Sequence, residues 1–271
     1  MHWTLITGGA TRLGREIALA FARAGWGVAC HYRHSGQAAQ QLCEEIRQLG
    51  SPAMAVQGEL ADEASCRRFF DETVQTTGPA LRCVVNNASL FEPDYARHMD
   101  EAQALAQWQV NLMAPLRLSR WLAQLQEAHG HTSGQASTIH VLDQKVFNLN
   151  PDYFSYTLSK LALERAVALQ AQSLAPTLRI NAVAPGLMYL SGPQSEDNFH
   201  QASRANLMRR ALNPQDVANS VLFLANNTGI TGTTIKVDNG QHLVPSPRDI
   251  MFVVDDLLQP QRAPSADPNQ P

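Results

Sequence analysis

"LITGGATRLGREIA", residues 5–18, joins a short apolar run to an amphipathic segment through a turn that carries Gly8, Gly9 and Gly14. Glycines at 8 and 14 allow close backbone approach, and the free N–H groups at a helix start attract a pyrophosphate. The spacing T-G-x-x-x-x-x-G differs from the G-x-G-x-x-G of many dinucleotide-binding turns, and isolated glycine turns also arise for purely structural reasons. Its position after the first strand favours a nucleotide cradle.

Outward from that turn the same alternation repeats. Apolar runs occur at WTLI (3–6), GVACHY (27–32), AMAV (53–56), LRCVV (81–85), STIHVL (137–142), RINAVA (179–184) and TIKV (234–237). Helix-like segments lie between them, at 15–25, 38–50, 64–77, 104–126 and 158–174. In the first, Ile17, Ala20, Phe21 and Ala24 recur at helical spacing and Gly25 supplies a stop. Strands alternating with helices predict a parallel sheet covered on both faces. Seven units without a composition break predict one doubly wound α/β domain over residues 1–244. The extension, 245–271, differs. RDIMFVVDDLL (248–258) is too apolar for a free tail and is expected to pack on the body or on a neighbouring subunit. QPQRAPSADPNQP (259–271) reads as disordered.

Composition excludes several classes. With 271 residues and 44% hydrophobic content the chain can bury a substantial core. A net charge of -3 and a pI near 6.3 give no electrostatic case for nucleic acid or a membrane surface. Cys30, Cys43, Cys66 and Cys83 lack any C-x-x-C spacing, so free thiols in a reducing compartment are expected. Neither a secretory signal nor a membrane-length apolar window is read, which points to the cytoplasm. G-x-S-x-G and H-E-x-x-H are absent and no metal site is expected. His140, inside an apolar run, reads as core.

The end of the second strand selects between cofactors. An acid there would bind the adenosine ribose, favouring NAD, whereas a basic group accommodates the extra phosphate of NADP. The chain reads "CHYRHSG" (30–36), with Arg33, His34 and Ser35 and no acid. NADP is the expected cofactor.

Tyr156 and Lys160 are one helical turn apart, so their side chains share a face. An ammonium near a phenol stabilises phenolate, which predicts a lowered Tyr156 pKa and a usable acid near neutral pH. Tyr153 is a competing phenol, but four residues on it has Thr157. Asn111 alone reads as a helix-interior amide, and Asp143 alone as a strand-end cap.

In order and spacing, TGGATRLG (7–14), NNAS (86–89), Asn111, Y-x-x-x-K (156–160) and NAVAPG (181–186) resemble the short-chain dehydrogenase/reductase family over residues 3–243. The resemblance implies a seven-stranded Rossmann fold, nicotinamide hydride transfer and a proton relay of Asn111, Tyr156 and Lys160. It implies cofactor contacts from Gly8, Arg12, Leu13 and Gly14, from Arg33, His34, Ser35, Glu59 and Leu60, and from Asn87, Ala88 and Ser89. Lys160, Pro185, Gly186 and Leu187 complete that set. Most members carry serine at position 143 and glycine at position 12. Arg12, HYRHS, NNAS followed by Phe91, and Asp143 resemble the pteridine reductase branch, and the bacterial dihydromonapterin reductases are similar at the same places. That branch implies a pterin or folate substrate near Arg12, Ser89, Phe91, Asp143 and Tyr156, with Phe91 stacking on its ring. Met188 and Tyr189 are candidate pocket walls, and residues 187–210 are expected to cover the substrate. The family also implies a homotetramer.

Chemistry gives the aspartate a use. A carboxylate accepts hydrogen bonds from a pterin's amino and N–H groups, while it would repel a ketone oxygen acquiring alkoxide character. The expected reaction is NADPH-dependent reduction of a dihydropterin C=N, with a proton from Tyr156. The alternatives are a ketone or quinoid reductase of the same family, and a catalytically silent NADP-binding sensor.

Overall fold

A computed structural model of the chain describes residues 1–190 and 194–258. The predicted disordered stretch 259–271, and residues 191–193 of the substrate-covering segment, lie outside the described residues.

Seven parallel strands form one sheet: β1 (Trp3–Ile6), β2 (Gly27–Tyr32), β3 (Ala53–Gln57), β4 (Leu81–Asn86), β5 (Ala136–Val141), β6 (Leu178–Pro185) and β7 (Thr234–Val237), in the order β3-β2-β1-β4-β5-β6-β7. This is the predicted doubly wound Rossmann arrangement. Successive side chains along a strand face opposite ways. Leu5 therefore packs into one core layer with Leu81, Leu118 and Ile180, and Ile6 into the other with Ile17, Val28 and Val221. Burying each such aliphatic contributes roughly 1.5–3 kcal/mol, so both faces of the sheet are driven to acquire helices.

Those helices are α1 (Arg12–Arg23), α2 (Gly36–Gln48), α3 (Glu63–Thr77), α4 (Glu101–Trp108), α5 (Ala114–Ala128), α6 (Phe154–Leu174), α7 (Glu196–Ala202), α8 (Pro214–Asn226) and α9 (Ile250–Leu258). The helix expected over 104–126 is interrupted by a π-helical turn, Gln109–Met113. Pro115 explains the break, since it has no N–H to return to the Asn111 carbonyl. Helix α6 begins earlier than the apolar period predicts. Asp94 caps it from a distant loop, accepting from the Ser155 N–H (2.9 Å) and from the Ser155 hydroxyl.

The chain runs from β1 out to β3, then returns to place β4 on the other side of β1. A crevice forms at that reversal, beyond the carboxyl ends of the strands. At its floor the first turn is tightly packed. Gly8 has φ 60, in the left-handed region, and a Cβ added to Gly14 would lie 2.1 Å from the Gly8 carbonyl oxygen. Gly14→Ala is therefore expected to destabilise the protein by about 1–3 kcal/mol, read from the midpoint of urea unfolding.

Candidate active site

The glycine turn is braced by β4 and β2. The Asn87 side-chain amide donates to the carbonyls of Thr7 (3.0 Å) and Gly8 (3.1 Å), while the Thr7 hydroxyl accepts from the N–H groups of Asn87 (3.0 Å) and Ala88 (3.1 Å). His31 braces the other side. Its Nδ1 lies 3.3 Å from the Gly8 nitrogen and its Nε2 3.2 Å from the Gly58 carbonyl oxygen. Burial pushes the His31 pKa down to about 4, so the ring is neutral, accepting at Nδ1 and donating at Nε2.

The acid from the end of β5 has two jobs at once. One Asp143 oxygen accepts from the Lys145 N–H (2.8 Å), capping a 3₁₀ turn over Gln144–Phe147, and the other accepts from the Tyr156 hydroxyl at 2.9 Å. The strand-end cap and the cleft-facing carboxylate are thus the same residue. Burial raises the Asp143 pKa against the Lys145 N–H, the Tyr156 hydroxyl and the charges of Lys145 and Lys160. Tyr156 lies well above the ordinary tyrosine value because burial raises it and the adjacent Asp143 charge raises it further. That reverses the expected lowering by lysine. The Lys160 ammonium is 5.8 Å from the Tyr156 ring centroid and donates to the Val141 carbonyl at 2.8 Å, while the carboxylate sits directly on the phenol. Burial also lowers the Lys160 pKa, to about 8, against the pull of Asp143.

Asn111 stands behind this group rather than within it. From the π-helical turn its Oδ1 accepts from the Leu90 N–H (2.8 Å) and the Ser89 hydroxyl (3.1 Å), and its Nδ2 donates to the Leu90 carbonyl (2.9 Å) and to Ser159 (3.0 Å). It ties the end of β4 to α6, which carries Tyr156 and Lys160.

A cleft of about 680 Å³ collects most of the predicted residues. Gly8, Arg12, Leu13 and Gly14 line one side, with Asn87, Ala88, Ser89 and Phe91 beside them. Asp143, Tyr156 and Lys160 are joined there by Pro185, Gly186, Leu187, Met188 and Tyr189. Arg12 holds φ 48, a left-handed conformation costing a non-glycine residue roughly 1–2 kcal/mol, with its guanidinium 5.9 Å from the Tyr189 ring centroid. One face of Phe91 is stacked on Tyr153 (centroids 4.0 Å) and Tyr156 meets it edge-on (4.7 Å), so only the remaining ring surface faces the cleft.

Arg33, His34 and Ser35 do not line this cleft; they are exposed beyond the end of β2, where Arg33 pairs with Glu59. Leu60 turns its side chain into the core beside Cys66, whose thiol donates to the Leu60 carbonyl (3.3 Å). His140 is core as expected, bridging Asn86 (3.1 Å) and Gln170 (2.9 Å). All four cysteines are free and buried. Among the described residues no cluster suits a metal ion, and no helix is long and apolar enough to cross a membrane.

One group of functional interest escaped sequence reading: His31 was hidden inside an apolar strand, where its signal was one polar residue in GVACHY. The C-terminal segment, expected on the body or on a neighbouring subunit, folds back on its own chain, and Pro245, Arg248, Asp249, Ile250 and Val253 line the same cleft as Tyr156.

The chain is similar to known proteins in sequence and in fold. A family model described as enoyl-(acyl carrier protein) reductase matches residues 8–242. A dihydromonapterin reductase of Enterobacter sp. (strain 638) is 28% identical over 239 residues, covering 88% of this chain and 96% of its own. The crystal structure of FolM alternative dihydrofolate reductase 1 from Brucella canis, complexed with NADP, superposes with a TM-score of 0.81 at 33% identity, covering 89% of this chain and 94% of its own. The promiscuous reductase LugOII, which catalyses keto-reduction at C1 during lugdunomycin biosynthesis, gives a TM-score of 0.79 at 25% identity, covering 89% and 98%.

The Asp143–Tyr156 contact can be tested without a substrate. In Asp143→Asn the phenol loses its charged neighbour but stays buried. Its titration should move down yet remain above about 10. Ultraviolet difference titration of tyrosinate, with Tyr156→Phe as the blank, checks this.

Proposed function

Because this chain belongs to the short-chain dehydrogenase/reductase family, we propose that it is an NADPH-dependent reductase of a dihydropterin. The observation that carries this reading is the 2.9 Å hydrogen bond from the Tyr156 hydroxyl to a carboxylate, Asp143, where most of the family places serine. The resemblance to dihydromonapterin reductases and to the FolM reductase complexed with NADP supports it.

The residues present suit the cofactor. Gly8, Arg12, Leu13 and Gly14 line the cleft at the first turn, and the buried Lys160 ammonium lies in the same cleft. Arg33 and His34, on the exposed rim of β2, would meet the phosphate that distinguishes NADPH from NADH; Arg33 would exchange Glu59 for it. Bound NADPH supplies the hydride to the carbon of the pterin C=N.

The chain's own groups supply the rest. Tyr156 stays protonated through the neutral range because burial and Asp143 both oppose its ionisation, so it holds a proton for the adjacent ring nitrogen. Transfer of that proton leaves a phenolate beside the Asp143 carboxylate, and the Lys160 ammonium, 5.8 Å from the ring centroid, offsets part of that charge. Asp143 accepts from the pterin's amino and N–H groups, orienting the ring, and its charge disfavours a substrate that develops negative charge on oxygen. Arg12, Ser89, Phe91, Met188 and Tyr189 are the walls against which the ring is held. Asn111 acts through Ser89 and Ser159 as a positioning residue. We place the enzyme in the cytoplasm, supported by its free thiols, and as a homotetramer, supported by exposed Leu105, Trp108, Leu158 and Leu169 on α4 and α6.

The keto-reduction named for LugOII keeps a second reading open to test, a reductase of a ketone or quinoid substrate. Steady-state oxidation of NADPH with dihydropterin, dihydrofolate and a ketone panel separates the two. Asp143→Ser should lower dihydropterin turnover at least tenfold while leaving the NADPH Kd within about threefold, a loss of about 1.4 kcal/mol or more in transition-state stabilisation. Unchanged turnover would remove Asp143 from the mechanism.

The pH profile should be bell-shaped. As pH falls, Asp143 gains its proton above the ordinary carboxylate value of about 4 and activity drops. As pH rises through about 8, Lys160 loses its charge and activity drops again. Lys160→Arg, which does not titrate in this range, should move the alkaline limb upward even if its maximum is lower.

A further inference from the structure

The segment after residue 242 lies beyond the family match, yet it shapes the cleft. Two ion pairs of opposite sense hold it down. Arg248 meets the buried Asp152 through a fork, with Nε at 3.0 and 2.9 Å from the two carboxylate oxygens and one terminal nitrogen at 2.8 Å. Asp249 meets the buried Lys145, with Nζ–Oδ2 at 3.3 Å, and the Asp249 N–H adds a 2.7 Å bond to Asp152. The tail thus offers base then acid to a body that offers base at 145 and acid at 152. Only one register satisfies both. With the tail in place Asp152 and Lys145 are 1% and 3% exposed, so both pairs are formed out of solvent and losing one partner leaves a buried charge.

Both partners lie on the ten-residue span between Asp143 and Phe154, and the contacts form a continuous path along it. The Asp143 carboxylate caps the Lys145 N–H. The Lys145 ammonium donates to the Asn150 side-chain oxygen, which also accepts from the Asp152 N–H (3.3 Å). Asn148 donates to the Val244 carbonyl (2.9 Å), where the tail begins. Tyr153 then takes φ 55 and starts α6, its ring lying between Phe91 and the tail's Phe252, whose centroid is 6.3 Å away.

We propose that Lys145, Arg248 and Asp249 are positioning residues of the active site: the C-terminal segment roofs the substrate half of the cleft of its own subunit, and its Arg-Asp dipeptide fixes the loop that aims Asp143 at Tyr156. The chain's own segment supplies this roof. Its kinetic consequence rests on the dihydropterin reading above.

The test uses full-length Asp249→Asn, Lys145→Met and the double variant, with three readouts: backbone hydrogen exchange over residues 143–153, dihydropterin kcat and KM, and the NADPH Kd. Each single variant should speed exchange in that loop tenfold or more and lower kcat tenfold or more, with the NADPH Kd within threefold. The double variant, which leaves no unpaired buried charge, should recover part of the protection. Exchange and kcat that stay at wild-type values in both single variants overturn the proposal. Faster exchange with unchanged kcat overturns the positioning role. If wild-type protein reduces no dihydropterin while exchange still rises in the variants, the pterin reading falls and the latch stands. Should Asp249→Asn not fold, Arg248→Lys, which keeps the charge but loses the fork, carries the same measurements.

Discussion

Parallel pairing is the constraint from which this molecule follows. Every strand must end on the same edge of the sheet, and every return must cross a face as a helix. The seven strand ends therefore deliver their loops to one side, and the reversal between β1 and β4 opens that side into a crevice. Residues as distant as Gly8, Asn87, Asp143 and Gly186 meet there because each follows a strand, not because they are close in the chain.

Much of this was legible in order and composition. The strands at 3–6 and 27–32 fall where the apolar runs put them, since a strand buried on both faces reads as a nearly unbroken apolar run, and the half-exposed edge strand at 234–237 falls where its run put it as well. What failed was non-local. Helix α6 starts at Phe154 because Asp94, about sixty residues earlier, caps it, and no local period encodes that. Asn111, a helix-interior amide by its local period and a relay member by resemblance, sits in a π-helical turn formed at Pro115, and its side chain grips Ser89 and Ser159. The spacing of Tyr156 and Lys160 was right, but the electrostatics inferred from it were reversed. An i,i+4 relation reveals nothing about a carboxylate thirteen residues upstream.

That reversal bears on how the group works. A phenol whose pKa is lowered gives up its proton readily but is partly ionised beforehand. Here burial and Asp143 keep Tyr156 protonated, and an aspartate with a raised pKa sits within hydrogen-bonding distance. Two acids and one lysine in a poorly solvated space titrate as one system. Neutralising any member shifts the others, so the serine found at position 143 in most of the family would change the proton inventory of the site as well as its shape.

Strain in the first turn points the same way as the roof. At position 12 a glycine would adopt φ 48 without penalty, yet the chain holds an arginine there and aims it over Tyr189. On the opposite wall it keeps two opposed charge pairs, Arg248–Asp152 and Asp249–Lys145, where apolar contacts alone would cost less desolvation. Neither choice is what stability would select by itself. Each sets the direction of a group facing the cleft: a guanidinium from the turn side, and a carboxylate from the loop that the tail holds. A flat ring with donors and acceptors around its edge needs such fixed polar directions far more than a simple carbonyl does, because several edge groups must be matched at once while one C=N is held at the hydride donor.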